Sequence, residues 1–600
     1  MSERLFHTFH KVNHTPLRDL IRLRLTNRLD WKARLASAGF PAPVSELILR
    51  TVGKTRLWPL EKVAVADELT AHFQDGLAAG RTVAELIETF GSEASAAKLI
   101  RRAKRRCRPL LWHGWIFMLR ATAILIAVYA VLAIRFYTGR PVVSVDYVAK
   151  INEPILQTPV SDRAWPLWRK AILASSDGTK DGHLVLSDAI DWNEREKTTW
   201  QRQREWLTHH PTVAGLAREA AAKPALGFVL GPGQSADDAE LGYHYPKNHA
   251  ADSLFQVLLP DLTLLRRMGF VLDLDGRLAA ENRDPARLES DLSALLGLSW
   301  QLRDADDFLV TQFVSVSTLK LAVDRLGATL ETHPEVLGDR QLIRLAHAFS
   351  APQVAADMIN VNGERAFFGD IVQRTYTDDG HGDGHITLRG FELLRQMLGN
   401  DYGNPGPRDF ALEPVLPVLS ASRADLMARY NALMDQSEAD YHLPMRKVDP
   451  NRVDSQLIAM RTSPLEEARY WPLVWLAPSL SRAQETCEHE LGERDGAEVG
   501  IALELFRRQH GNYPASLNEL TPQFLPEIPA DRITGDPVKY RLVDGKPLVY
   551  SVGVDRVDDG GKLPGFERPG RRYSAAKWGE APTAETRGDW ILYPLNIDTP

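Results

Sequence analysis

Leu110 to Ile134 reads LLWHGWIFMLRATAILIAVYAVLAI. Its cleanest part, Ala121 to Ile134, is too short to span a membrane alone, because a helix needs about 20 apolar residues to cross a hydrocarbon core of roughly 30 Å. Extending back to Ile116 reaches that length and takes in Arg120. An Arg at the bilayer centre costs about 2.5–3.5 kcal/mol, and each Leu, Ile, Phe or Val returns about 0.3–0.6 kcal/mol. The ten such residues between Ile116 and Ile134 outweigh one Arg. Arg120 also lies near one end, where its stem reaches the headgroups. Trp112, Trp115, Tyr129 and Tyr137 near the ends suit interfacial belts. The competing reading is a buried core helix.

The flanks set an expected orientation. Arg101, Arg102, Lys104, Arg105, Arg106 and Arg108 precede the segment, whereas Arg135 and Arg140 follow it. The positive-inside rule then predicts a cytoplasmic N-terminus, a signal-anchor in the inner membrane, and a periplasmic or extracellular bulk after about residue 138. The whole chain has 600 residues, 72 basic and 78 acidic, for a net charge of −6. Met1 to Leu110 holds 20 basic and 11 acidic residues, so the balance is +9 before the segment and −15 after it. An acidic outer portion excludes a nucleic-acid coat, and the basic flank fits anionic membrane lipid. Cys107 and Cys487 fall on opposite sides of the expected membrane, which precludes a disulfide between them.

Residues 1–109 read as a cytoplasmic helical module. Val63, Val65, Leu69 and Phe73 fall near helical spacing, Gly80 is a C′ candidate, Thr82-Val-Ala-Glu85 is a capping box, and Ser92 is a cap candidate. Glu68-Leu69, His72-Phe73, Gly80, Phe90-Gly91 and Ala96-Ala97 resemble the small helical module of the HAAS or permease-prefix type that precedes membrane segments in many bacterial proteins. The resemblance implies a docking or regulatory element. The Arg-rich stretch before Arg56 reads as a solvated helix face, with lipid or RNA contact as the alternative.

The expected fold class is mainly α. It comprises the module (1–109), a transmembrane helix (110–137), a stalk and Trp-rich region (138–251), a helical-hairpin domain with an acidic loop (252–400), a Pro/Gly linker with helices (401–485), and a small α+β unit with a tail (486–600). Trp165, Trp168, Trp192, Trp200 and Trp206 are dense enough to line a groove, although such residues more often pack between helices. Gly231-Pro-Gly233 lacks the ending of a phosphate loop and reads as a turn. Helices are expected from Asp252 (with Leu254, Val257, Leu258, Leu262 and Leu265 on one face), from Pro285, over Asp306 to Leu330, and over Arg340 to Phe349.

Between two expected helices lies Thr377-Asp-Asp-Gly-His-Gly-Asp-Gly-His-Ile-Thr387. The loop resembles an EF-hand, which would place Asp379 at position 1, His381 at 3, Asp383 at 5, Gly384 at 6 and Thr387 at 9. The resemblance implies Ca2+, which takes six to eight oxygens. Gly390 replaces the usual bidentate Glu, and His381 replaces an oxygen ligand. A transition metal or a plain Gly-rich loop of solvated acids are the alternatives.

Thr486 to Gln509 reads as a long helix, with Val499, Ala502, Leu503 and Phe506 on one stripe. Ser516-Leu-Asn-Glu519 is a capping box, and Val538–Leu542 with Leu548–Val552 across Asp544-Gly545 reads as a hairpin. Ala502-Leu-Glu-Leu505, His510-Gly-Asn-Tyr-Pro514, Leu517, Leu520, Asp536-Pro537, Tyr540, Tyr550-Ser-Val-Gly553 and Asp555 to Gly561 resemble the C-terminal globular part of the major pseudopilin of type II secretion. The resemblance implies a calcium loop built from Asp555, Asp558 and Asp559, the alternative being a solvated acidic turn. The long stretch between membrane segment and long helix departs from a pseudopilin, so a processed pilin subunit is not expected.

Together these features resemble bacterial single-span membrane proteins. The expected function is an envelope interaction or scaffold protein, associated with secretion-system or other envelope proteins and non-catalytic. The alternatives are a membrane-anchored metal-dependent hydrolase and a transmembrane signalling protein acting through the N-terminal module. Neither a Gly-x-Ser-x-Gly elbow nor a His-Glu-x-x-His helix is present.

Overall fold

A computed structural model of the chain describes residues 10–21, 25–180, 183–186, 197–230, 253–254, 260–305, 308–352, 359–397, 413–441, 443, 445–448, 452–477, 480–562 and 588–594. It is mainly helical and divides into two compact units, Met1–Ala130 and Val131–Pro600. Trp192, Val257, Leu258, the Gly231 turn and most of the expected linker from Tyr402 lie outside the described residues.

In the first unit α1 (Leu17–Ile21), α2 (Trp31–Ser37), α3 (Ala42–Lys54), α4 (Pro59–Ala78), α5 (Val83–Phe90) and α6 (Glu93–Arg106) follow in order. Val63, Val65, Leu69 and Phe73 from α4 meet Val44, Ile48 and Val52 from α3 in one small core. The capping box at the start of α5 is present: the Thr82 N–H donates to Glu85 Oε2 at 2.9 Å and the Glu85 N–H to Thr82 Oγ1 at 3.4 Å. Gly80 takes the left-handed conformation, φ +80°, that ends a helix without Cβ strain. Ser92 makes no side-chain cap bond, contrary to expectation.

Helix α7 (Leu110–Thr138) is, among the described residues, the one helix long and apolar enough to cross a membrane, and its most apolar stretch is not buried at all. A core helix of a soluble protein would instead hide such residues. Arg108, expected as part of the lipid-facing flank, is only 6% exposed along its side chain. It donates to both carboxylate oxygens of Glu61 at 2.6 Å, and its guanidinium lies 4.2 Å from the Trp58 and Trp112 ring centroids. Trp112 therefore stacks on a cation as well as standing near the membrane segment's start.

The second unit opens with α8 (Tyr147–Gln157), α9 (Trp165–Ala174), the β1–β2 hairpin (Ser176–Lys180, His183–Leu186), α10 (Lys197–His209) and α11 (Pro211–Ala221). Where a stalk was expected there are packed helices. Trp165, Trp168, Trp200 and Trp206 are buried in the main core, and Trp168 Nε1 donates to Gln301 Oε1 at 2.9 Å. Large apolar rings this well covered serve packing, not a groove.

Next come α12 (Pro260–Glu281), α13 (Pro285–Arg303), α14 (Leu309–Thr332) and α15 (Asp339–Phe349), the last three near their expected positions and α12 beginning after the expected Asp252, with Leu254 outside it. Asp284 caps α13 by accepting the Arg287 N–H at 3.1 Å. Arg218 of α11 reaches Asp275 of α12 at 2.8 Å and also bonds Asp291 of α13, and Arg287 clamps Asp275 from the other side. Burial pushes the Asp291 carboxyl well above its usual range.

After these stand α16 (Asn362–Thr375), α17 (Leu388–Met397), α18 (Leu416–Leu419), α19 (Arg423–Tyr441), α20 (Arg452–Thr462), α21 (Pro464–Leu476) and α22 (Leu480–His510). Helix α22 starts before the expected Thr486. Strands β3 (Lys539–Val543), β4 (Lys546–Ser551) and β5 (Trp590–Tyr593) form an antiparallel sheet in that order, with the β3–β4 hairpin where the alternation placed it. The short helix after α22 is a 3₁₀ turn, Leu517–Leu520. The expected outer subdivisions share their interiors: one core joins Val148 to Leu505, and another joins Met445 to the sheet.

Candidate functional site

The two sequence-predicted loops are local, self-bonded structures. Asp379 Oδ1 accepts the His381 N–H at 2.8 Å, and Asp378 Oδ1 accepts the Gly380 N–H at 3.0 Å. His381, Asp383 and Asp379 are exposed, while Thr387 is buried, its Oγ1 donating to the Thr375 carbonyl at 3.2 Å and accepting the Gly390 N–H at 3.0 Å. The loop closes on itself through the Tyr376–Ile386 bridge. A Cβ at Gly390 would stand 2.2 Å from the Thr375 carbonyl oxygen, so the place of an EF-hand's bidentate Glu has no room for a side chain. The structure thus does not gather Asp379, His381, Asp383 and Thr387 around one point.

In the second loop Asp555 Oδ1 accepts the Val557 N–H at 3.0 Å and Asp558 Oδ1 accepts the Gly560 N–H at 3.0 Å and the Tyr550 hydroxyl at 3.1 Å. Asp559 is drawn in through its backbone: its N–H donates to Asp589 Oδ1 at 3.3 Å. Asp589 is fully buried, and burial pushes its carboxyl up. It is the organising carboxylate of this loop, and the sequence reading did not include it.

The densest chemistry lies on α22. Glu485, His489, Glu490, Glu493, Arg494 and Asp495 are all buried on this one helix. Three segments pack around it, one of them on a glycine row. Gly492, Gly496 and Gly500 share a face, and a Cβ at Gly496 would stand 2.1 Å from the Leu592 carbonyl oxygen of β5. The strand lies directly on the glycine face and on His489, whose ring meets Trp590, while α14 covers Glu490 and Glu493 and the Leu525–Gly535 segment faces Arg494 and Asp495.

On one side, His489, Glu490 and Glu493 bring ligand-type atoms within 4.8 Å of one another. The Lys320 ammonium of α14 stands 2.6 Å from Glu493, 3.7 Å from Glu490 and 3.6 Å from Asp324. Burial opposes ionisation of Glu490, but Lys320 and His489 outweigh it and hold its carboxyl below the usual range. The cation that this cluster needs is already supplied by Lys320.

On the other side α22 borders a cleft of about 650 Å³ lined by Ser350, Tyr441, Glu488, Arg494, Asp495, Glu498 and the segment Leu525–Gly535. Arg532 Nε donates to Asp495 Oδ2 at 2.8 Å and Nη1 to Glu488 Oε2 at 3.1 Å, and Arg494 bonds Asp495 from the opposite side. Glu498 stands apart, 4.0 Å from Arg494. Burial pushes its carboxyl up to about 7, against the pull of Arg494. The cleft therefore presents alternating acidic and basic groups plus one carboxyl that gains and loses its proton near neutrality. A perturbed acid in a concave polar site is a common mark of a functional site.

Sequence reasoning passed over this cleft because it took from this helix only the apolar stripe of Val499, Ala502, Leu503 and Phe506. The glycine spacing at 492, 496 and 500 was the available signal of close packing. Comparison with known protein families, curated proteins and solved structures gives no match.

Proposed function

We propose that the chain is a membrane-anchored interaction protein of the bacterial cell envelope, with its N-terminal module in the cytoplasm, one transmembrane helix, and its larger unit on the outer side. The observation that carries this reading is helix α7, whose apolar side chains up to Val131 stay largely exposed, as with Leu111 at 87%, Phe117 at 72% and Leu125 at 67%, with Phe136 near its end the buried exception. The basic residues of α6 before it, Lys104, Arg105 and Arg106, favour the cytoplasmic side and anionic lipid. The cleft beside α22 supplies the recognition surface. Its Asp495 and Glu488 carboxylates are held by arginines, which suits charged-partner binding better than hydrolysis. The order of long helix, short helix and antiparallel strands supports a pilin-like contact with a secretion or surface-assembly machinery.

Protease added to intact spheroplasts tests the topology: the portion after residue 138 is digested and a tag at the N-terminus survives. Loss of the tag with survival of the outer portion refutes it. For the recognition role, a photo-crosslinker at Pro526 in the cleft should yield a discrete envelope adduct that Arg532→Gln abolishes. An adduct pattern indifferent to Arg532 refutes the cleft.

A second reading, transmembrane signalling, is favoured by the Arg108 clamp. Arg108 ties Glu61 at the start of α4 to the Trp112 turn of α7, so that a movement of the membrane helix is passed to the module. Disulfide cross-linking through the exposed Cys107 distinguishes this reading, since it requires a second copy whose cross-linking efficiency responds to an outer ligand.

A further inference from the structure

The N-terminal module carries a second cluster of ligand-type atoms, independent of the cleft. His10 and His14 stand four residues apart, with 10–13 helical, and their rings face the same side with centroids 4.2 Å apart. Asp30, the N-cap of α2, completes the group, and one ligand-type atom from each of the three lies within 4.8 Å of the others. His10 Nε2 is already 3.2 Å from Asp30 Oδ2. Ligands bound at about 2.1 Å in a tetrahedral zinc site lie about 3.4 Å apart, so this pair has the required spacing.

For His14 and Asp30 the remaining polar atom is held by the surrounding chain. His14 Nδ1 lies 2.8 Å from the His10 carbonyl oxygen, which only accepts, so Nδ1 carries the proton and Nε2 keeps its lone pair. Asp30 Oδ1 accepts the Ala33 N–H at 3.0 Å, leaving Oδ2 turned to the histidines. Metal-ligating imidazoles are oriented in this way, by a hydrogen bond from the nitrogen that does not bind. The two segments are also tied by backbone: the Leu29 N–H donates to the His14 carbonyl at 2.7 Å, and the buried Thr15 hydroxyl accepts the Thr26 N–H at 3.1 Å. The His10 side chain is 45% exposed and that of Asp30 12%, which leaves a path to solvent and a position for a water ligand.

We propose that His10, His14 and Asp30 bind one divalent transition-metal ion of the zinc class, which fastens the N-terminal helical segment to the start of α2. Two imidazoles and one carboxylate suit such a metal and not Ca2+ or Mg2+, which take oxygen ligands. On binding, His10 presents Nε2 as the neutral Nδ1–H tautomer, and its direct bond to Asp30 gives way to two metal bonds.

The test uses the full chain in detergent, stripped with chelator and titrated with Zn2+ in competition with a chromophoric chelator. His14→Gln and Asp30→Asn should each weaken binding at least tenfold, and the double variant should lose the site. Asn caps a helix as well as Asp, so Asp30→Asn keeps α2 intact, which a circular dichroism melt verifies. Cys107→Ser and His72→Gln should leave the affinity unchanged. Co2+ should give a tetrahedral absorption band that both single variants remove. Equal Zn2+ affinity in the wild type and the double variant, or loss of binding in Cys107→Ser, overturns the proposal.

Discussion

Glu498→Gln replaces a half-open cleft's one near-neutral acid with a neutral group of the same shape. The folded chain raises this carboxyl from 4.5 to about 7, chiefly by burial. Because the folded state prefers the protonated form, the associated stability is fully present below the unfolded value and is lost as the pH rises through about 7. A shift of roughly 2.5 units corresponds to about 3 kcal/mol at 1.36 kcal/mol per unit, and this is an upper figure. The side chain is 14% exposed, so solvent screening removes only part of it. The Gln variant has no proton to lose. Urea unfolding of the detergent-solubilised full chain, followed by tryptophan fluorescence, should therefore give near-equal stabilities at about pH 4 and a more stable variant, by about 2–3 kcal/mol, at about pH 8. A variant less stable at the higher pH, or a difference that does not change with pH, refutes the assignment of Glu498 as an acid whose burial outweighs the pull of Arg494.

Arg218→Met leaves Asp275 and Asp291 buried with only Arg287 nearby and should destabilise by about 3–5 kcal/mol, read as a lowered urea midpoint. Gly496→Ala should cost about 1–3 kcal/mol or prevent β5 from docking, because the new Cβ meets backbone, whereas Gly492→Ala meets only the Leu592 side chain at 3.3 Å and should be close to neutral; similar thermal midpoints for the two would count against the helix–strand contact. Calcium added to about 1 mM should not raise the thermal midpoint, since Asp555 and Asp558 already accept backbone N–H groups and the acids of the earlier loop are not gathered; a rise abolished by Asp558→Asn would restore the calcium site.

The helices were legible where periodicity and caps agreed, as with Pro285–Arg303 and the Thr82–Glu85 box. The hairpin was legible because Asp544-Gly545 takes the two positive φ values, +51° and +78°, that its tight turn needs. The stalk expectation failed where α8 and α9 pack into the main core, because a local run of sequence says nothing of the partners that cover it. The cleft was illegible for a related reason. Charge on a helix face reads as solvated unless another segment is known to cover it, and the Leu525–Gly535 segment meets this face only through a tertiary contact. The EF-hand resemblance rested on residue spacing, which does not register that the Thr375 backbone crowds Gly390.

The glycine row on α22 also bears on the order of events during synthesis. Glycine in a helix interior costs about 1 kcal/mol relative to alanine, so three of them weaken this helix until the strand from far downstream arrives. Until Leu592 and Tyr593 have been made and laid down, the glycine face of α22 that they cover is bare. An unfinished chain therefore carries an unpacked backbone groove along its longest late helix, which closes only when the last strand is made.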